Sequence, residues 1–335
     1  MASEHTAKLT SSEIGSLWSA YMNNTMSICV IHYFIKNTED QDIKSVLEYA
    51  LNTSKKIVSQ IVEVLQEEKI YIPMGFRGED VNADAPRLFS DYFHMYYLKH
   101  MAKIGASIYG VTLATLARSD IRDLFSEWIA SSVTLYNKTA NLLLSKGLFI
   151  RTPFVYISNE VDFVQKQSYL GSFFSSTRPL NVIEITHLYA NLEANRVAQT
   201  LVTGFAQVAK SRQVYEYMIR GKELSKKQVQ IFSDTLLEYD VSAPMEWDMD
   251  VSDSTVPPFS DKLLMFHVGV LGASGLSNLA TASAASFRKD IAANYVRLST
   301  EVGEYTLDGA ELMIQNGWLE SPPQTLDRKH LNKEE

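Results

Sequence analysis

Phe89-Ser90-Asp91 returns as Phe259-Ser260-Asp261, 170 positions later. Toward the C terminus the same spacing carries Arg118, Asp120 and Ile121 onto Arg288, Asp290 and Ile291, and Gly147 and Pro153 onto Gly317 and Pro323. Toward the N terminus the spacing is 171. Pro73-Met74 answers to Pro244-Met245, and Ser54-Lys55-Lys56 to Ser225-Lys226-Lys227. Leu9, Glu13, Ile14 and Leu17 answer to Leu180, Glu184, Ile185 and Leu188. One slip of one residue, inside a loop, is what a tandem duplication leaves behind. The unit is a domain in length, so the chain is not a solenoid of short repeats.

Within the first copy, four proline-free stretches carry helical periodicity. Their seams are Ile14, Trp18, Tyr21, Thr25, Ile28, His32 and Ile35, then Ile43, Leu47, Ala50, Ser54, Ile57, Ile61 and Leu65. The third is Phe93, Tyr97, His100, Ile104, Ser107, Val111 and Ala114, and the fourth Ile121, Phe125, Trp128, Ser132, Leu135, Thr139 and Leu142. Each turns one stripe toward a shared core. Thr10-Ser11-Ser12-Glu13 has capping-box spacing. Ser90 and Ser260 precede first-turn aspartates, where a hydroxyl cap and a negative charge are both favourable. Gly147 and Gly317 stop the fourth helices. In the second copy the same pattern predicts helices over Val182–Lys210, Arg212–Glu238, Ser260–Phe287 and Asp290–Asn316.

Loop length chooses the topology. The first and second helices are joined by about six residues and the third and fourth by about two, which forces antiparallel neighbours. Lys69–Leu88, with its glycines and prolines, joins the second to the third. A chain of about 20 residues can extend about 65 Å, more than one helix length, so the second and third helices can run parallel. One long crossover is the ferritin-like arrangement. The expected fold is therefore all-α, with two tandem ferritin-like four-helix bundles related by a pseudo-twofold, and Tyr239–Phe259 as the second crossover. The expected division is a first bundle over residues 9–151, an ordered aromatic connector over 152–179, a second bundle over 180–324 and a polar tail over 325–335. The connector holds Phe154, Tyr156, Phe163, Tyr169, Phe173 and Phe174, unlike a polar flexible linker, and a short helix is expected over Asn159–Ser168. Gly269, Gly272, Gly275 and Gly105 are costly inside helices, which points to the third helices as the joint between bundles, with Phe154–Phe174 covering it.

Composition narrows the class. In 335 residues, apolar content is 46% and charged content 21%, ordinary for a globular protein. A net charge of −8 without basic runs argues against nucleic acid. Cys29 is the sole cysteine, so no internal disulfide can form, and it reads as a small core hydrophobe. Met1–Lys8 has no apolar leader segment, and the chain is expected to be cytoplasmic. Leu263–Phe287 has no charged residue and is long enough to cross a bilayer. Its counterpart Phe93–Ala117 carries Lys99, His100 and Lys103, so both read as bundle helices rather than membrane spans.

Several segments recur together as a set. They are Leu17-Trp18-x-x-Tyr21-Met22-Asn23-Asn24, Ala85-Pro86-Arg87-Leu88-Phe89-Ser90-Asp91 and Arg118-Ser119-Asp120-Ile121-Arg122, followed by Arg178-Pro179-Leu180-Asn181 and Gly204-Phe205-Ala206-Gln207-Val208-Ala209. Pro258-Phe259-Ser260-Asp261-Lys262-Leu263 and Gly317-Trp318-Leu319-Glu320-Ser321-Pro322-Pro323 complete it. From about Leu9 to Gln324 the chain resembles the bacterial family called domain of unknown function 3231, in its double-length form. The resemblance implies a ferritin-like helical fold and an origin in endospore-forming Gram-positive bacteria. Similar short bundles have been labelled spore-coat-like. It brings no catalytic residues.

The residues themselves offer little chemistry. A di-metal bundle site needs inward carboxylates and two Glu-x-x-His pairs. The first copy has neither on its seams. The second has Glu184-Ile185-Thr186-His187, which reads more simply as a helix-start carboxylate beside a histidine. His32 and His100 lie on predicted seams and read first as satisfied core groups. A polar cluster of Glu193, Arg196, Glu223, Glu301 and Glu304 is placed to gather an anion, or simply to pair internally. No catalytic residue, cofactor or metal is assigned. The function expected is a non-catalytic structural or interaction protein, with self-association or spore-layer proteins as partners. The alternative is a metal- or small-ligand-binding ferritin-like protein, including an oxidoreductase.

Overall fold

The computed structural model describes residues 7–171, 178–243, 251–326 and 328. Pro244-Met245, Phe173, Phe174 and the tail beyond 328 lie outside them. The first repeat holds α1 (Ser11–Asn37), α2 (Gln41–Glu67), α3 (Asp91–Leu113) and α4 (Ser119–Ser145). The second holds α5 (Val182–Val208), α6 (Arg212–Leu237), α7 (Asp261–Ala285) and α8 (Lys289–Gln315). No strand occurs among the described residues, and the fold is all-α in two tandem bundles. The sequence-predicted boundaries in the second repeat fall within two residues of these.

Helix direction follows from hydrogen bonds at helix starts. Asp91, the first residue of α3, accepts the N–H groups of Glu39 and Asp40 just before α2 (3.2 and 2.9 Å). Glu13, in the first turn of α1, accepts those of Ala117 and Arg118 before α4 (3.0 and 2.7 Å). The second repeat repeats both contacts. Asp261 of α7 accepts from Lys210 and Ser211 before α6 (3.0 and 2.8 Å), and Glu184 of α5 from Arg288 before α8 (3.1 Å). In each repeat the second and third helices therefore start at the same end and run parallel. The path is up, down, down, up, with one long crossover, as loop length predicted.

The repeats meet through a pseudo-twofold. Val81 bridges to Phe259 and Phe89 to Val251, an exchange of repeat-equivalent positions between the two crossovers. The Asn82 N–H donates to the Pro258 carbonyl (2.8 Å), and the Ser252 N–H to that of Leu88 (2.9 Å). Around this joint one continuous core spans both repeats and includes Tyr33, Phe34, Phe89, Phe93, Tyr97, Phe205, Phe259 and Leu263. Two outer cores close the far ends, one built on Phe125 and Trp128, the other on Phe232 and Tyr295.

Burial confirms the seams of α2 and α4 almost residue for residue. It corrects those of α1 and α3. In α1 the seam residue Thr25 is buried, but so are Leu17, Ala20, Met22, Asn24, Met26, Cys29, Val30, Ile31, Tyr33 and Phe34, while His32 is exposed. This helix packs on its own bundle and on α7 of the other repeat, so no single stripe describes it. In α3 the N-terminal half is buried on nearly every side, and Ser107, Val111 and Ala114 are exposed.

The glycine reading also needs correction. A Cβ on Gly272 would strike Thr306 of α8, in the same repeat, and one on Gly105 would meet Ser132 at 3.0 Å. Gly269 and Gly275 have nothing within 4 Å. The glycine that admits the other repeat is Gly204 of α5, where a Cβ would lie 2.5 Å from the Phe89 ring. The third helices do meet at the joint, with Tyr97 against His267, a repeat-equivalent pair on the pseudo-twofold (Oη to Nε2 3.2 Å), and with Val270 and His100 each reaching into the opposite bundle. The connector does not cover the joint. Phe154 is 88%, Tyr156 94% and Val161 87% exposed. The short helix expected over Asn159–Ser168 is a single 3-10 turn at Gln167–Leu170.

These contacts separate two helix glycines. Gly204→Leu is expected to cost about 1–3 kcal/mol by overpacking against Phe89. Gly269→Ala is expected to be neutral or to stabilise by up to about 1 kcal/mol, because helix propensity rises and nothing is displaced. Urea midpoints of the two variants test this, and equal midpoints would remove Gly204 from the joint.

Candidate functional site

Glu184, half of the only predicted Glu-x-x-His, is fully buried. Its carboxylate accepts two hydrogen bonds from the Arg178 guanidinium (2.9 and 2.8 Å), one from the Asn181 N–H (3.0 Å) and one from the Arg288 N–H. Burial pushes its pKa up, but these donors outweigh burial and hold the group below the usual carboxylate range. Glu13 behaves in the same way through Thr10, Ala117 and Arg118. Both are helix-tying carboxylates with their lone pairs engaged. His187, one turn further on, is half-buried.

His32 and His100 do not converge, since His32 faces solvent. The five-residue polar cluster does not form either. Glu193 pairs with Lys99 of α3 (2.6 Å), whose ammonium lies 4.3 Å from the centre of the Phe149 ring. Arg196 lines the same hollow between the repeats. Glu301 instead binds Lys227 and Arg297 on the α6–α8 face, and Glu223 and Glu304 are exposed. The cluster reading failed because Glu193 and Arg196 face the other repeat, while the three other glutamates lie on outer helix faces. Among the described residues no group of three His, Cys, Asp or Glu side chains could hold a metal ion. Cys29 is buried with its thiol donating to the Arg77 carbonyl, and burial followed by the nearby Asp80 pushes its pKa up to about 12. It is a core residue, as read.

What sequence reasoning missed is a pair of cavities at the centres of the two bundles. The first, of about 100 Å³, is lined by Asn24, Ser54, Gly105, Tyr109, Ser132 and the foreign residue Val270. The second, of about 70 Å³, is lined by Asn195, Ser225, Gln228, Gly275, Tyr305 and the foreign residue His100. These are the same place in the two repeats. Asn24 answers to Asn195, Ser54 to Ser225, Gly105 to Gly275 and Val270 to His100. Each cavity is thus closed by one side chain of the other bundle. The repeated Asn and Ser were a readable signal, but their helix faces meet only once the bundle is built.

Two buried histidines, His94 and His267, and the half-buried His100 stay neutral. Burial lowers His94, His100 and His267 to about 3; Arg87 adds to this at His94, Lys103 and Lys99 at His100, and His100 at His267. His94 stacks on Phe34 with its Nδ1 at 2.9 Å from the Thr38 hydroxyl. Among the described residues α7 alone is long and apolar enough to cross a membrane by length and composition, with a third (33%) of its most apolar window buried. In the fold it packs on α5 and α8.

A pH dependence follows. An unfolded histidine titrates near about 6.5, so between that value and about 3 the unfolded chain binds protons that the folded chain excludes, and stability falls as pH falls. Below the ordinary carboxylate range Glu13 and Glu184 add to the loss. Urea midpoints are expected to drop steadily from pH 7.5 to 5, and a flat profile would show the histidines protonated in place. Glu184→Gln is expected to cost about 3 kcal/mol at neutral pH, and added zinc or iron to leave the melting temperature unchanged. A metal-dependent rise lost in that variant would restore the ligand reading.

Among curated proteins none matches this sequence. A solved structure that resembles it is that of a protein provisionally named a spore coat protein, from Bacillus halodurans C-125. It is 21% identical, the match covers 46% of this chain and 100% of that one, and the TM-score is 0.42. The family described as protein of unknown function (DUF3231) matches twice in tandem, over residues 2–161 and 169–331, and the chain belongs to that family.

Proposed function

We propose that this chain is a non-catalytic bundle protein that self-associates through its connector, in association with the spore. The observation behind it is the exposure of Phe154, Tyr156, Ile157, Val161, Phe163 and Val164 within one short stretch. A soluble monomer rarely shows so dense an apolar patch, and such patches mark protein interfaces. The stretch makes few hydrogen bonds of its own, so its backbone is free to pair with another chain. The buried carboxylates, which a catalytic reading would need, are spent on helix starts. Spore association rests on the family resemblance alone.

Light scattering on the full chain tests the association. The wild type is expected to exceed the 37.8 kDa monomer mass as concentration rises. A chain with Phe154, Tyr156, Val161 and Phe163 changed to Ser is expected to stay monomeric with unchanged helicity. A wild type that remains monomeric throughout would end this reading. Fractionation of sporulating cells, with the protein expected in the spore pellet, tests the location separately.

A further inference from the structure

Both bundles keep a cavity where a packed core would be more stable. The repeats have diverged widely around them. Between α1 and α5 only Glu13, Ile14, Leu17, Asn24 and Phe34 keep their identity, and between α3 and α7 only Asp91, Met95, Gly105 and Ser107. Asn24, Gly105 and, on α2, Ser54 line the first cavity, and their unchanged counterparts line the second. The remaining identities of α1 lie at the helix start or at the joint. Three lining positions thus match, while others exchange size or polarity, as Thr53 with Leu224, Ile108 with Asn278 and Ser132 with Val302, so the cavity persists although its wall has changed.

The two walls then differ in a telling way. In the first cavity the Asn24 Nδ2 donates to the Ala20 carbonyl and to the Tyr109 hydroxyl (both 2.8 Å). Ile57 and Val270 complete it. In the second cavity Ile57 becomes Gln228 and Val270 becomes His100. Gln228 is only 3% exposed. Its Oε1 accepts from the Asn195 Nδ2 (3.2 Å), and among the described residues its own amide donor reaches no protein acceptor. Ser225 is 8% exposed, and its hydroxyl is equally without a protein partner among them. Neither polar atom is sealed away, so both open onto the cavity and can meet a guest there. His100, neutral at any physiological pH, offers one donor and one acceptor. No carboxylate, lysine or arginine lines the space, so a charged guest would be buried unpaired.

We propose that the cavity of the second bundle binds a small uncharged molecule carrying both a hydrogen-bond donor and an acceptor, with an amide as the group recognised. A cavity of about 150 Å³ admits the six carbons of benzene, so this one, about half that volume, takes a body of about three to four non-hydrogen atoms. The Gln228 amide donates to the guest's carbonyl oxygen. The acceptor nitrogen of His100 or the Ser225 oxygen receives the guest's N–H. Val202, Val268 and Leu271 cover its hydrocarbon part. The first cavity, lined by Ile57 and Val270 at the matching positions, binds the same guest more weakly.

Acetamide fits this description and serves as the probe. Acetone keeps the shape and the acceptor but lacks the donor, and acetamidinium carries a charge. Calorimetric titration of the full chain is expected to give one tighter saturable site for acetamide, at least about tenfold weaker binding there for acetone and none for acetamidinium. The first repeat supplies the control substitutions. Gln228→Ile and His100→Val install residues already accommodated at the equivalent positions, and each is expected to weaken binding about tenfold or more with helicity kept. If one variant does not fold, the other decides. Absence of saturable binding to the wild type, equal binding of acetone, unchanged binding to the folded variants, or a soaked crystal with only water in the cavity would each overturn the proposal.

Discussion

Two parallel helices that begin at the same end of a bundle bring two positive helix termini together, and a carboxylate must stand between them. Each N-terminus carries about half a positive charge and several unpaired N–H groups. The up, down, down, up path creates this situation twice per repeat. Glu13 and Asp91 resolve it in the first, Glu184 and Asp261 in the second. Each acid belongs to the first turn of one helix and accepts the N–H groups that open another. Charge-assisted bonds of this kind contribute about 1.5–3 kcal/mol each, more than an exposed ion pair. They also fix direction, which apolar packing alone does not. The two fully buried acids, Glu13 and Glu184, thus have their oxygens taken up by helix starts.

The long crossovers are the other consequence of parallel helices. Each must travel a full helix length, and a long unpaired loop would leave backbone groups exposed. The two crossovers pair with each other instead, and the Ser260 hydroxyl donates to the Asp80 carboxylate across the joint (2.6 Å). The element that closes each bundle thus also joins the bundles.

Legibility in the sequence followed the number of faces a helix buries. α2 and α4 pack on one side, and their period-3.6 stripes named the core correctly. α1 and the start of α3 bury nearly every face, so periodicity carried no information there, and His32 fell on the wrong side. The helix glycines were read as costs that needed an explanation between bundles. Much of the explanation lies within the second one. Gly221 and Gly309 make room for Tyr305 and Tyr217, whose rings stack 4.2 Å apart. At the matching places the first repeat has Ala50 and Thr139 around Leu135 and Val46. Such volume exchanges preserve the fold and erase the local signal. The polar cluster failed for a related reason, because Glu193 and Arg196 meet the other repeat and not their own bundle.

Fusion of the two copies has a consequence beyond stability. In a dimer of identical chains, every change on one side of the twofold appears on the other. The residue that closes each central cavity comes from the opposite bundle, so a histidine at that place would close both cavities or neither. In the fused chain His100 closes one and Val270 the other. The amide wall of Gln228 is likewise present once, against Ile57. Duplication therefore keeps the mutual closure of an isologous pair while freeing the two cavities to differ. Where the difference accumulated, in the polarity of two buried walls and not in the helix-tying acids, separates what holds this fold from what is left for it to do.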